Sequence, residues 1–154
     1  MVWKKVRRIL GDHGWTVFTP TLSGLGEGPH LASASVTLET HIQDVLGVLE
    51  AEALRDVVLC GHSAGGMVIT GVADRAPERI SHLIYLDAIV PADGPSALDV
   101  VANKHHDDFL QSGAAEGGEG WFAPPNLDAA GFGVHEPDDA AWVNQDDLAS
   151  AASL

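Results

Sequence analysis

Cysteine is almost missing from this 154-residue chain: Cys60 stands alone, so no internal disulfide can form. That usage suits a reducing compartment and leads to the expectation of a cytoplasmic protein. Basic residues are nearly as scarce. Eight Lys and Arg stand against 22 Asp and Glu, for a formal net charge of −14. Four of the eight are Lys4, Lys5, Arg7 and Arg8, and from Asp93 to Leu154 twelve acids face Lys104 alone. Such a surface repels nucleic acid and anionic membrane, so neither is an expected partner. No apolar run approaches the roughly 20 residues that a helix needs to cross a bilayer. Trp3 to Leu10 interleaves apolar with charged residues and lacks the apolar stretch of a signal peptide. No internal repeat is visible. What remains is globular composition, 45% hydrophobic and 19% charged, on a chain long enough to bury a core.

The periodicity predicts alternating helices and strands. Trp3, Val6, Ile9 and Leu10 recur at helical spacing with basic residues opposite and Gly11 as a stop, a short helix expected to cover a core. Gly14 to Pro20 predicts a strand ended by its proline. Residues 21–35 hold Gly24, Gly26, Gly28 and Pro29 and read as a loop. Thr37 caps a helix running to about Ala53, with Leu38, Ile42, Val45, Leu46 and Leu49 as its buried stripe. Val57 to Cys60 predicts a strand, with Cys60 in the core. The helix after Ser63 runs to Ala76, before Pro77. Ile80 to Val90 is nearly continuous in apolar residues, as for a strand covered on both faces. Strand, helix, strand, helix, strand at this spacing means a parallel sheet with crossover helices, an α/β fold. Beyond Pro91 the pattern weakens: Leu98 to Leu110 suggests a helix and Gly113 to Gly120 an acidic loop. Trp121-Phe122-Ala123-Pro124-Pro125 is an apolar, proline-stiffened piece, and Asp138 to Leu154 suggests a helix whose last residues fray.

The chemistry centres on Gly61-His62-Ser63-Ala64-Gly65-Gly66, between the apolar runs Val57-Val58-Leu59-Cys60 and Met67-Val68-Ile69. Strand, Gly-x-Ser-x-Gly, helix is the sequence form of a nucleophile elbow. The serine sits on a strained turn, so Gly61 and Gly65 are expected to lack side chains that would clash there. Ser63 would then present its hydroxyl, and the Ala64 N–H at the helix start would meet a developing oxyanion.

Trp3 to Gly94 resembles the α/β-hydrolase superfamily, in a bacterial esterase branch akin to plant methylesterases and hydroxynitrile lyases. The resemblance is carried by Thr19-Pro20-Thr21-Leu22-Ser23-Gly24-Leu25-Gly26-Glu27, Thr40-His41-Ile42-Gln43-Asp44-Val45, Val57 to Val68, and Leu83-Ile84-Tyr85-Leu86-Asp87-Ala88. It implies an α/β-hydrolase fold, three-layered, with a mostly parallel sheet, crossover helices and a helical cap-like C-terminal segment. The core would occupy residues 1–94, and 95–154 would form the cap-like region and the approach to further strands. The family places a His-Gly strand ahead of the first helix, and its catalytic acid and histidine after two later strands. None of these is evident here, so the expectation is an incomplete fold, truncated at both ends. The strand at Trp15 to Thr19 would then face Val57 to Cys60 across a gap of roughly 10 Å, about twice the interstrand spacing. Either the two close up and pair, or their edges stay open and invite self-association.

A serine needs a base to take its proton and a carboxylate to orient that base. Eight histidines are present. His62 adjoins Ser63, with its ring directed away from the hydroxyl. His41 lies on a helix and His82 at the start of a strand. His13 and His30 flank the first strand, His30 on the elbow side, where it would line a pocket. His105, His106 and His135 fall in the presumed cap. Any of them remains open as the base. Asp87 lies near the C-terminal end of its strand, the edge where α/β sites are built, and stays open as acid or structural residue. His105-His106-Asp107-Asp108 reads as a solvated helix face rather than a metal site, since adjacent residues rarely converge on one ion. Trp121, Phe122, Pro124 and Pro125 would either line an apolar pocket or pack cap on core. The resemblance implies a carboxylesterase acting on small uncharged esters through an acyl-enzyme at Ser63, with Ala64 at the oxyanion and no cofactor or metal. Hydroxynitrile lyase chemistry on the same fold, or a non-catalytic hydrolase-like binding protein, are the alternatives.

Overall fold

Two parallel strands and two helices packed on one side of them form the centre of the molecule. The computed structural model describes residues 3–26, 28–91, 122–123, 129–146 and 152–153. Within these, α1 is Lys4–Asp12, α2 Leu38–Ala51, β1 Val57–Ser63, α3 Gly65–Arg75 and β2 Ile80–Ala88. A two-residue strand β3 (Phe122–Ala123), helix α4 (Pro137–Asp146) and a two-residue strand β4 (Ala152–Ser153) follow. The apolar, β-branched runs at Val57 and Ile80 pair in parallel, Leu59 with Leu83 and Gly61 with Tyr85, and α3 crosses between them.

Alternation assigns the faces. Val57, Leu59 and Ile80 turn toward the helices and pack on a core of Ile42 and Leu49 from α2 with Val68 and Val72 from α3. Leu22, Leu38, Val45, Leu46 and Leu54 extend that cluster. Each fully buried aliphatic side chain of this size contributes about 1.5–3 kcal/mol. Gly71 lets α2 and α3 approach closely, since a Cβ there would stand 2.3 Å from Ile42 Cδ1. At the start of α2 the Thr37 amide donates to Thr40 Oγ1 at 3.1 Å. Across the top of the layer Thr70 on α3 shares a 2.6 Å hydrogen bond with the Tyr85 hydroxyl.

The opposite face of the sheet is bare. Val58, Ile84 and Leu86 are 45%, 47% and 52% exposed, and Cys60 is exposed beside them. Cys60 is therefore not a core residue, and β2 is not covered on both faces as its apolar run suggested. The run records a tendency to be buried, not the presence of a layer to bury it.

The segment from Trp15 to Thr19 likewise joins no ladder among the described residues, and Trp15 is 66% exposed. A strand exists only where backbone partners exist, and the described residues place no third strand beside β1 or β2. Of the two outcomes expected, closure by pairing is not seen among the described residues. Helix α1 also departs from expectation. It forms, but all its residues are exposed, Ile9 by 56%, so it covers no core. Its anchor is polar: Lys5 pairs with Asp139 on α4 and lies over the Trp142 ring, 4.6 Å from its centre.

The C-terminal helix is shorter than the sequence suggested, ending at Asp146, and Ala152 and Ser153 pair antiparallel with Ala123 and Phe122. Backbone pairing needs only peptide groups, which a featureless Ala-Ser tail supplies. The expected helix at Leu98 to Leu110, the loop at Gly113 to Gly120, and the boundary at 94/95 lie outside the described residues.

Candidate active site

The elbow takes the expected shape. Ser63 ends β1 with φ +53°, a left-handed conformation that a non-glycine residue adopts rarely, and α3 begins two residues later. Ala64 is the residue before the helix, and its carbonyl accepts the Met67 N–H at 3.1 Å. Amides at a helix start have no intrahelical acceptor, which is what an oxyanion donor requires. Ser63 is exposed at the C-terminal edge of the sheet.

The glycines divide the work differently from the simple motif reading. A Cβ on Gly61 would stand 2.6 Å from the Gly65 carbonyl oxygen, so Gly61 is required as expected. Around Gly65 there is nothing within 4 Å. The tight position is Gly66, where a Cβ would stand 2.2 Å from the Ile89 carbonyl oxygen and 3.0 Å from Ala88 Cβ. The turn folds over so that α3 meets the end of β2 at its second residue rather than its first. A hydrogen bond from Ile89 N–H to the Ser63 carbonyl, 3.0 Å, closes the same corner.

The histidines among the described residues do not converge on the serine. His41 is 5% exposed on α2 and its Nε2 lies 3.0 Å from the Ser23 carbonyl oxygen. His13 Nδ1 lies 2.8 Å from Ile9 O at the end of α1. His30 is exposed in the 3₁₀ turn Pro29–Leu31. His82 sits opposite Val58 on the bare face of the sheet, at the end of β2 remote from Ser63. It also borders a shallow depression between the start of β2 and the end of α3, lined by Ala73, Pro77, Ile80, Ser81 and Leu83. His62 and His135 are exposed. Among the described residues no side chain hydrogen-bonds the Ser63 hydroxyl. His105, His106, Asp107 and Asp108 lie outside the described residues, as do Trp121, Pro124, Pro125 and the side chain of Phe122.

One arrangement near the site was not anticipated. The glycine-rich loop is fastened to α2 by Asp44, whose carboxylate accepts the Ser23 N–H at 2.7 Å and the Ser23 hydroxyl at 3.0 Å. His41, three residues earlier, holds the Ser23 carbonyl side, so one residue of the loop is gripped by two of the helix. Gly24 at φ +80° and Gly26 at φ +53° then turn the loop back on itself, with Gly28 N–H donating to Leu25 O at 2.9 Å. The signal was present: His41 and Asp44 are polar residues within an otherwise apolar stripe, and a buried polar group is a bonded one. Nearby on α2, Glu39 has its carboxyl held below the usual range by the Gln43 amide. Partial desolvation opposes this shift, and the Arg75 guanidinium reinforces it.

The chain matches the Alpha/beta hydrolase family over residues 2–153. It is 60% identical over 85 residues to the carbendazim hydrolyzing esterase of a Nocardioides species, which covers 55% of this chain and 35% of that one. An alpha-hydroxynitrile lyase of Arabidopsis thaliana is 29% identical over 91 residues, covering 58% of this chain and 35% of the lyase. The chain thus matches about a third of the length of each relative. Among solved structures it is similar to an extracellular alpha/beta-hydrolase from a Paenibacillus species described as sharing structural and functional homology with tobacco salicylic acid binding protein 2. The superposition has a TM-score of 0.79 at 26% identity and covers 99% of this chain and 65% of that one. Among the described residues no helix is long and apolar enough to cross a membrane.

Proposed function

Since the chain belongs to the alpha/beta hydrolase family, we propose that it carries the nucleophile of a carboxylic ester hydrolase acting on small esters. The observation that carries this reading is the strained Ser63 at the junction of β1 and α3, exposed at the C-terminal edge of the sheet. In the reaction, Ser63 Oγ attacks the ester carbonyl carbon as its proton passes to a base. The Ala64 N–H stabilises the tetrahedral oxyanion, a contribution of about 3–4 kcal/mol for one such donor. Collapse expels the alcohol and leaves an acyl-enzyme, which water cleaves to the acid. The similarity to a protein named as a carbendazim hydrolyzing esterase supports an ester carbonyl as the target.

The lyase-type reading uses the same serine with a cyanohydrin in place of the ester, and the similarity to a hydroxynitrile lyase keeps it in view. Incubation with short-chain aryl esters and with mandelonitrile separates the two: acid release marks a hydrolase, cyanide release a lyase. Neither product, from folded protein, favours a non-catalytic binding protein. A cytoplasmic location belongs to the same proposal and, because the Paenibacillus relative is extracellular, cell fractionation decides it. Self-association is a further part of the reading, supported by the open edges of β1 and β2 and the bare apolar face between them.

A further inference from the structure

Asp87 is the second strained residue at the same corner. Its φ is +44°, and it is the extra residue of a bulge: His62 pairs with Leu86 and Ser63 with Ala88, leaving Asp87 opposite no residue of β1. A bulge bends a strand and re-aims the side chain at the extra position. Here the next residues, Ala88 and Ile89, are pressed against Gly66 and bonded to Ser63, so the strand end has no freedom to relieve the turn. The side chain so placed is a carboxylate, exposed at the C-terminal edge about one interstrand spacing from the elbow. Among the described residues it has no ion-pair or hydrogen-bond partner. An unneutralised charge beside a nucleophile acts on whatever approaches it.

We propose that Asp87 is a charge filter at the Ser63 site, admitting neutral and cationic substrates and disfavouring anionic ones. The inference deepens the ester-hydrolase reading by naming a substrate class, and it rests on Ser63 being the reacting position. A bare backbone role is the competing account, because aspartate tolerates left-handed φ better than most residues. Asparagine tolerates it as well and carries no charge, so Asp87→Asn separates the two. For unit charges about 8 Å apart at a partly screened surface, removing the carboxylate changes the preference for a cation over an anion by about tenfold.

The test uses a thiol reporter, which needs no catalytic base. In a Cys60→Ala background, Ser63→Cys is reacted with cationic, anionic and neutral methanethiosulfonates of similar size. The neutral reagent corrects for accessibility and for any change in the reporter's own acidity. The cationic reagent is expected to react faster than the anionic one, with the ratio falling about tenfold in Asp87→Asn and surviving in Asp87→Glu. A ratio unmoved by Asp87→Asn, or lost equally in Asp87→Glu, overturns the filter. Because the thiol reacts without a triad, an inert Ser63 in the parent chain would count against the hydrolase reading while leaving this result readable.

Discussion

Replacing Gly66 with alanine forces a Cβ to within 2.2 Å of the Ile89 carbonyl oxygen and 3.0 Å of Ala88 Cβ. An ordinary carbon–oxygen contact is about 3.2–3.5 Å, so the end of β2 or the first turn of α3 must move by roughly 1 Å. Both obstacles are backbone or the carbon next to it, and neither can swing aside. The movement strains the 3.0 Å bond from Ile89 N–H to Ser63 O, worth about 1 kcal/mol, and adds an overpacking cost of about 1–3 kcal/mol. Alanine's better helix propensity returns at most about 1 kcal/mol. The expected net loss is about 1–3 kcal/mol, or some 2–12 °C in Tm for a chain of this size. Gly65→Ala is the internal control. It adds the same methyl group one residue away with nothing within 4 Å, and is expected to be neutral or slightly stabilising. Urea unfolding of the two variants followed by fluorescence measures the difference directly. Equal stability of Gly66→Ala and Gly65→Ala would refute the claim that the second glycine of the pair sets the packing of helix on strand.

Asp44→Ala removes both acceptors from Ser23 and should destabilise the chain by about 1–3 kcal/mol, with the Ser23 amide losing its protection from hydrogen exchange; unchanged protection would contradict its role as the loop's fastening. Glu39, with a depressed carboxyl pKa, contributes stability that is complete above the unfolded carboxylate pKa and is lost as pH falls through the lower folded value. Removing its first cause with Gln43→Ala should move the Glu39 titration upward, as read by NMR of its side-chain carbons. If the bare sheet face and its edges drive association, sedimentation velocity should show mass rising with concentration, and Ile84→Lys should suppress it although the added base lowers the net negative charge. A monomer at every concentration would contradict that expectation.

What was legible in the sequence followed from local rules. The apolar stripe of α2, the β-branched run before Gly61 and the Gly-x-Ser-x-Gly turn each carry their structure in neighbouring residues, and each formed close to the predicted boundaries. Trp15 to Thr19 fails for the opposite reason. Its β-branched and aromatic residues state a preference for extended backbone, whereas a ladder depends on a strand from elsewhere. Ile84, Leu86 and Cys60 are exposed by the same logic, since their hydrophobicity calls for a layer that local sequence cannot supply. Helix α1 has the apolar stripe of a core helix, yet its described anchors are Asp139 and Trp142, more than a hundred residues away.

At the site, the motif located the turn between β1 and α3 but misplaced the crowding. Gly65 and Gly66 are indistinguishable in sequence, and only the approach of Ala88 and Ile89 shows that Gly66 is the constrained one. Asp87 is similar. Its place at the strand end was evident, but a bulge is a matter of register between two strands and leaves no local mark. His41 lay open as a base in the sequence, and the structure gives the reason against it: the buried ring is engaged with Ser23.

Whether Ser63 is an activated nucleophile is read at the residue itself by covalent labelling. A fluorophosphonate phosphonylates a serine, with loss of fluoride, only when its hydroxyl is deprotonated on attack and its oxyanion is held. One equivalent of probe is expected, mapped by peptide mass spectrometry to Ser63 and lost in Ser63→Ala. Folded protein that takes up no probe, or takes it up equally in Ser63→Ala, would contradict it.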